Sequence, residues 1–463
     1  MIKFGTDGWR DLIADQFTFE NVRKAARAYA LHILQAGGKR VVVGHDTRFM
    51  ADRFARVAAE TLSASGLEVH LSGTHLPTPV LSFAVKHLHA QGGVMISASH
   101  NPPEYCGFKL KGFYGGSATP EMVQNVESHL GDLPPAFDSN LHPIQTFDVQ
   151  EAYYKHLSTL LDLDILRGFA GTFYHDSMGG SGGGWVSGFL KFAGLEHIAL
   201  QEIHAAPDPM FYGVNPEPLP QNLAHTMGIL KGQTGLAFAA VTDGDADRIG
   251  AVTAGGDFFN SHQIFAVLLK HLYDRGLRGK VVQTVSVSRL IAVLAEKLGL
   301  EVTTTPIGFK YITEEMLQGD VLIGGEESGG IGIKGHLPER DGILNALLML
   351  EAVAHSGKSL SELFADLEAF TGVRHAYDRI DLKLPSLQVK DQLMQKLNTP
   401  QPIAGREVHN IDLRDGIKWF LSDGTWIMFR ASGTEPVLRV YAEAASPEEV
   451  QTLLQAGLNH LGV

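Results

Sequence analysis

Ser97-Ala98-Ser99-His100-Asn101-Pro102 follows directly on Val94-Met95-Ile96, an apolar run that fits a strand. Hydroxyls and an imidazole therefore sit at a strand's carboxyl edge, where open α/β sheets bind ligands. Pro102 and Pro103 stop any helix or continuing strand. Lys109 follows ten positions after Ser99, close enough for its ammonium to return to the same place. A hydroxyl, a histidine and a lysine on a rigid loop suit a nucleophile with charge and proton handling at hand. Taken alone, the stretch reads more economically as a polar turn.

A second stretch changes that balance. Asp243-Gly244-Asp245-Ala246-Asp247-Arg248 places three carboxylates at alternate positions between small residues. Charges so close repel unless a cation sits among them, and oxygen-only ligands select Mg²⁺ or Ca²⁺. An EF-hand loop needs glycine at its sixth position and glutamate at its twelfth, but these are Arg248 and Ala254. A merely solvated carboxylate turn is the plain alternative. Arg248 beside the ligands points instead to a phosphate sharing the site.

Three further loops carry complementary chemistry. Gly324-Gly325-Glu326-Glu327-Ser328-Gly329-Gly330 holds a glutamate and a serine between glycines, a pattern suited to a sugar's vicinal hydroxyls. Thr305-Pro306-Ile307-Gly308-Phe309-Lys310 presents Gly308 and Lys310 as candidate substrate contacts. Arg430-Ala431-Ser432-Gly433-Thr434, with Arg439 shortly after, offers the charge and short donors that a phosphate dianion takes. Near the N-terminus, Gly5-Thr6-Asp7-Gly8-Trp9-Arg10 reads as a turn whose amides approach an anion, with Arg10 adding charge. The glycine run after Met178 invites a dinucleotide reading, but its spacing fits Gly-x-Gly-x-x-Gly in no register.

These loops need elements to hold them. Helical stripes over 18–36, 51–65 and 79–89 alternate with apolar strands over 40–44, 67–71 and 94–96, which predicts a parallel α/β domain. The strand Arg40–Gly44 opens onto His45-Asp46-Thr47-Arg48. The proline-rich Leu133–His142 reads as a linker, and the same alternation resumes twice before a smaller α+β unit after Gly372. The expected domains are 1–140, 141–252, 253–371 and 372–463, carrying in turn the serine, carboxylate, sugar and phosphate loops. A chain of 463 residues accommodates that number.

Composition narrows the class. The net charge of −13 argues against nucleic acid as the main partner. One cysteine, Cys106, excludes an internal disulfide and fits a reducing compartment. No apolar run reaches membrane-spanning length and the N-terminus has no secretory h-region, so a cytoplasmic protein with a small-molecule partner is expected. The sequence carries no reading of oligomeric state.

Phosphoryl transfer between a serine and a phosphosugar uses all of these parts together. FGTDGWR (4–10), SASHNP (97–102), DGDADR (243–248), GEESGG (325–330) and RASGTEP (430–436) resemble, in order and over essentially the whole chain, the α-D-phosphohexomutase superfamily of phosphoglucomutases and phosphomannomutases. The resemblance implies an α/β protein of four domains around a central cleft, three similar with mixed sheets and a smaller C-terminal α+β domain. It implies a phosphoryl group carried on Ser99, one Mg²⁺ held by that serine with Asp243, Asp245 and Asp247, and a glucose 1,6-bisphosphate intermediate that also activates the enzyme. Glu326 and Ser328 would hold sugar hydroxyls, and Arg430, Ser432, Gly433, Thr434 and Arg439 the non-reacting phosphate. Arg10 and Arg248 would stabilise transferring charge, and His100 would support the serine loop. Lys109 is the expected proton acceptor, its pKa lowered by burial beside cations.

Some positions depart from that pattern. Ser97, Cys106 and Asp11 stand where threonine, asparagine and glycine are usual. Gly330 replaces a histidine that many phosphomannomutases and phosphoglucosamine mutases carry, with His336 as a candidate substitute. The change tilts the expected substrate toward glucose phosphates, with mannose phosphates also turned over and phosphoglucosamine mutase the alternative. A non-catalytic phosphosugar sensor would leave Ser99 and the three aspartates without a role. A serine hydrolase lacks its Gly-x-Ser-x-Gly elbow.

Overall fold

A computed structural model describes residues 2–5, 7–131, 143–397, 399–432 and 436–462. The expected linker at 133–142, and Gly433 and Thr434 of the phosphate loop, lie outside these described residues.

The first domain runs β1 (Trp9–Leu12), α1 (Phe19–Gln35), β2 (Arg40–His45), α2 (Ala51–Ala64), β3 (Glu68–Ser72), α3 (Thr78–His87), β4 (Gly92–Ile96), β5 (Tyr105–Gly112), α4 (Pro120–Ser128) and β6 (Gln145–Phe147). Its sheet has the order β1-β5-β4-β2-β3-β6. β2, β3, β4 and β6 are parallel, as the apolar runs buried on both faces predict. β5 and β1 are antiparallel additions, so the sheet is mixed rather than wholly parallel. The difference arises because Pro102 and Pro103 turn the chain without ending the sheet. Cys106, Phe108 and Leu110 then alternate into the core. Lys109 and Lys111 fall on the opposite face of the same strand. Lys109 thus sits on a strand, not on the loop.

The second domain contributes α5 (Gln150–Leu160), α6 (Leu163–Arg167), β7 (Thr172–Asp176), α7 (Trp185–Phe192), β8 (Ala199–Ile203), α8 (Ala224–Leu230), β9 (Phe238–Thr242), β10 (Ile249–Thr253) and β11 (Phe258–Phe259). Its sheet order is β11-β10-β9-β7-β8, again parallel at β7, β8 and β9 with an antiparallel edge. The glycine run lies in the turn from β7 to α7, where it packs on the carboxylate loop. A Cβ on Gly180 would stand 2.5 Å from the Gly244 carbonyl oxygen.

The third domain comprises α9 (Ser261–Asp274), β12 (Lys280–Thr284), α10 (Arg289–Lys297), β13 (Val302–Thr305), α11 (Phe309–Gln318), β14 (Val321–Gly325), β15 (Ile331–Ile333), α12 (Gly342–Ser356) and α13 (Leu360–Thr371). β14 and β15 form an antiparallel hairpin in its four-stranded sheet, with the sugar loop between them. α12 is buried from Gly342 to Val353 and packs against α9, α6 and α7. A helix apolar on all sides belongs inside a fold.

The last domain holds β16 (Ala376–Lys383), α14 (Leu387–Lys396), β17 (Val408–Asp412), β18 (Ile417–Leu421), β19 (Trp426–Ala431), β20 (Val437–Ala444) and α15 (Pro447–Leu461). Its five strands form an antiparallel sheet in the order β16-β20-β19-β18-β17. α15 starts as its sequence predicts, with Pro447 in the first turn and the Ser446 hydroxyl accepting from Glu449 N–H.

The chain packs as two compact units, Met1–Val282 with Gly308–Phe364, and Gln283–Ile307 with Ala365–Val463. In the second unit Val285 and Ile307 join Trp426, Met428 and Tyr441 in one apolar cluster. Among the described residues no helix is long and apolar enough to cross a membrane.

Candidate active site

The serine loop begins where β4 ends at Ile96. Ser97 N–H donates to the Gly107 carbonyl at 3.0 Å, and the Ser97 hydroxyl accepts from Ser99 N–H at 2.8 Å. A Cβ on Gly107 would stand 2.3 Å from the Ser97 carbonyl oxygen, so only glycine lets β5 come this close. Ser99 is fully buried and held in the left-handed region, at φ +53°. This is an uncommon conformation for a residue with a Cβ, and here it falls at the proposed nucleophile. Its hydroxyl donates to Asp243 Oδ2 at 2.6 Å, with His100 Nδ1 3.5 Å away.

β9 delivers Asp243, Asp245 and Asp247, all fully buried, with one carboxylate oxygen from each within 4.8 Å of the others. Asp243 Oδ1 accepts from the backbone N–H of Asp247 and of Arg248, at 3.1 and 3.0 Å. Asp245 Oδ2 accepts from the Thr78 hydroxyl. Among the described residues, Asp245 Oδ1 and Asp247 Oδ1 are buried with no hydrogen-bond partner. Burial, together with the neighbouring Asp247 and Asp245, pushes the Asp243 carboxyl up to about 8. Orphaned carboxylate oxygens beside an overcrowded acid fit a hard divalent cation, which neutralises them.

Lys109 reverses an expectation. Its Nζ lies 2.8 Å from Asp7 Oδ2, 2.7 Å from Asp245 Oδ2 and 2.8 Å from Asp247 Oδ2. Burial opposes its charge, but the three carboxylates outweigh burial and raise its pKa instead of lowering it. Without a cation among them, these carboxylates thus favour the charged form of Lys109.

Arg340 and Asp7 complete the network, and neither is a candidate from the sequence. Arg340 Nη2 reaches Asp7 Oδ2 at 2.6 Å and Asp247 Oδ2 at 2.7 Å, and its Nη1 lies 3.5 Å from Glu326 Oε2. Burial pushes Glu326 up to about 7 despite that arginine. Arg10, on β1, contacts Asn101 Oδ1 at 3.0 Å and Asp7 Oδ2 at 3.4 Å. Arg248 Nε lies 3.9 Å from Asp247 Oδ1, and Ile249 N–H donates to the Gly329 carbonyl at 3.0 Å, tying the carboxylate and sugar loops together. Ser99, His100, Lys109, Arg10, the three aspartates, Arg248 and Glu326 thus converge in one connected site. Ser328 is half-buried on the sugar loop. Gly308, at φ +132°, precedes α11, and Lys310 Nζ stands 5.3 Å over the Tyr311 ring.

His336 does not replace the missing histidine. Its Nε2 lies 3.0 Å from Asp341 Oδ2 and its Nδ1 3.0 Å from His156 Nε2. The space in front of Gly330 is filled by Arg340 instead. A sequence signal for Arg340 does exist. Glu339-Arg340-Asp341 immediately precedes α12, and charges leading into a fully buried helix must themselves be buried and paired.

In the second unit, Arg430 on β19 stands directly opposite Arg439 on β20. Like charges in register repel, which an anion relieves. Arg430 Nε reaches Asp415 Oδ1 at 3.1 Å and Arg439 Nε reaches Asp381 Oδ2 at 3.5 Å. The Ser432 carbonyl accepts from Lys390 Nζ at 2.5 Å.

Four family models match successive parts of the chain. They are the α/β/α domains I, II and III of phosphoglucomutase/phosphomannomutase at residues 1–133, 151–256 and 260–370, and the C-terminal domain at 387–458. A phosphoglucomutase/phosphomannomutase of Thermococcus kodakarensis is 30% identical over 99% of this chain and 98% of its own. A Methanopyrus kandleri protein provisionally called a phosphoglucosamine mutase is 32% identical over 97% of this chain and 95% of its own. Among solved structures, one from Thermus thermophilus, provisionally called a phosphomannomutase, is 47% identical with a TM-score of 0.91, covering 100% of this chain and 99% of that one. The chain belongs to the phosphoglucomutase/phosphomannomutase family of the α-D-phosphohexomutase superfamily, isomerases that move a phosphoryl group within a sugar.

Proposed function

We propose that this enzyme interconverts hexose 1-phosphate and hexose 6-phosphate through a phosphoserine at Ser99, with glucose phosphates preferred and mannose phosphates also turned over. The observation that carries the reading is the Ser99 hydroxyl, 2.6 Å from Asp243 Oδ2 at the edge of three buried carboxylates. Phosphorylated Ser99 gives its group to the free hydroxyl of the sugar phosphate. The P–Oγ bond and the sugar O–H bond break, a P–O bond to the sugar forms, the hydroxyl proton ends on the released Ser99 Oγ, and the product is the 1,6-bisphosphate. That molecule turns end for end, and its other phosphate returns to Ser99.

Asp243, Asp245 and Asp247 with Ser99 would hold one Mg²⁺, which supplies charge neutralisation on the phosphoryl oxygens. Lys109 and Arg340 keep their charge and fix the carboxylates they touch. Arg10 and Arg248 steady the group in transfer, and His100 supports the serine loop. Glu326 and Ser328 take the sugar's hydroxyls, with Gly308 and Lys310 beside the substrate. Arg430, Ser432, Gly433, Thr434 and Arg439 bind the phosphate that is not transferred.

The names of several relatives favour a second reading, phosphoglucosamine mutase. Parallel assays with glucose 1-phosphate, mannose 1-phosphate and glucosamine 6-phosphate separate the two. The proposal expects the highest kcat/KM with glucose 1-phosphate. A preference for glucosamine 6-phosphate would replace it with the second reading.

A further inference from the structure

Arg48, at the carboxyl end of β2, is fully buried, yet its guanidinium is spent almost wholly on one loop. Nη2 donates to the carbonyls of Ser99 and Asn101 at 2.7 and 2.6 Å. Nη1 donates to the carbonyls of Pro102 and Tyr105 at 2.8 and 2.9 Å. Nε faces Asp46 Oδ2 at 3.2 Å, and the guanidinium carbon lies 4.8 Å from the centre of the Phe211 ring. Asp46 is itself anchored, since its N–H donates to the Ile96 carbonyl at 3.0 Å and its Oδ1 accepts from Arg48 N–H at 2.9 Å. The neighbouring Thr47 hydroxyl donates to the Gly179 carbonyl at 3.1 Å, on the glycine turn that backs the carboxylate loop.

The loop therefore wraps its carbonyls around a cation, and the first of them belongs to Ser99 with its left-handed backbone. On the other side of the Ser99 carbonyl stands the carboxylate loop, where a Cβ on Gly244 would come within 2.6 Å of that oxygen. The serine backbone is clamped between the Arg48 guanidinium and Gly244, and that clamp sets where Oγ points. Only arginine offers a planar fork of donors able to serve four carbonyls together while its charge faces a carboxylate, whereas lysine offers three donors from one point.

We propose that Arg48 is a positioning residue for phosphoryl transfer, fixing the left-handed backbone of Ser99, and so the direction of its hydroxyl, through the four loop carbonyls that it binds. The inference rests on Ser99 being the phosphoryl carrier, and it assigns Arg48 no contact with substrate. A nucleophile displaced by about 1 Å loses on the order of 100-fold in rate. A group that acts only through the nucleophile's aim changes kcat and leaves KM nearly alone.

The test compares the natural chain with Arg48→Lys. It measures the rate at which added glucose 1,6-bisphosphate phosphorylates Ser99, by quenched intact mass, together with kcat and KM for glucose 1-phosphate. For Arg48→Lys the proposal expects transfer and kcat to fall about 100-fold with KM within about threefold. Arg48→Ala should recover part of its transfer rate in added methylguanidinium. A transfer rate for Arg48→Lys within about threefold of the natural chain, or a loss appearing entirely in KM, overturns the proposal. Should the Arg48 variants fail to fold, Phe211→Leu decides. That variant removes the ring beneath the guanidinium, and the proposal expects about a tenfold loss of transfer at unchanged KM, while full transfer overturns it. A natural chain that takes up no phosphate at Ser99 would instead defeat the reading of Ser99 itself.

Discussion

Arg340 occupies the space where a side chain on Gly330 would begin: a Cβ there would stand 2.3 Å from Arg340 Cδ. The same arginine bridges Asp7 and Asp247 with one nitrogen and faces Glu326 with another. The glycine of the sugar loop and the arginine before α12 are thus a matched pair. The residue at 330 decides whether a cation can reach the carboxylates beside Ser99.

Gly330→Ala should accordingly act through Arg340. Overpacking of this kind costs about 1–3 kcal/mol, and disturbing a charge so near the reacting groups should lower kcat/KM at least about tenfold. Adding Gly330→Ala to Arg340→Ala should cost little more than Arg340→Ala alone, because the clash is gone. A double-mutant cycle on activity and melting temperature measures this, and strictly additive effects would show that the two residues act independently.

Removing Lys109 should expose the electrostatic balance of the site. Lys109→Met leaves Asp7, Asp245 and Asp247 short of one buried cation, at a cost of about 3–5 kcal/mol. Magnesium should then raise the melting temperature more in the variant than in the natural chain, since the ion compensates part of the missing charge. Asp245→Ala should abolish the magnesium shift, and chelator should remove activity that magnesium restores. Equal magnesium shifts in all three proteins would place the ion elsewhere.

Much of this arrangement is legible along the chain. Loops at the ends of apolar strands announce themselves locally, and so do caps such as Ser446 with Pro447, because the residues that build them are sequence neighbours. Lys109 is harder to place, since its pKa depends on Asp7, Asp245 and Asp247, which only folding assembles. Asp7 looks like part of an anion-binding turn, yet its carboxylate faces Lys109 and Arg340. His336 has the right chemistry near the right motif, but Asp341 and His156 take its nitrogens. β5 escapes a reading of the chain because the two prolines before it look like the end of a strand rather than a reversal within the sheet.

The second unit carries a separate pH dependence at Glu443. Its carboxylate accepts from the Ser288 hydroxyl at 2.5 Å, from Arg289 N–H at 3.0 Å and from the Trp426 indole, and lies 3.2 Å from His375 Nδ1. Burial alone would raise its pKa, but His375 and these donors outweigh burial and pull it down to about 2. A depressed folded-state pKa gives stability that is present above the unfolded value, near 4.5, and is lost as pH falls toward 2. The loss amounts to roughly 3 kcal/mol across that window. Thermal melts between pH 7 and pH 2 should therefore show a steep acid limb that Glu443→Gln flattens while lowering stability at neutral pH. An unchanged acid limb in that variant would assign the dependence to other groups.

Whether Ser99 carries the phosphoryl group is read directly by intact mass with phosphopeptide mapping, before and after adding glucose 1,6-bisphosphate. A gain of about 80 Da located on Ser99, absent from Ser99→Ala along with all turnover, is the predicted result. Full mutase activity in Ser99→Ala, or a natural chain that turns over substrate while Ser99 is never phosphorylated, would contradict it.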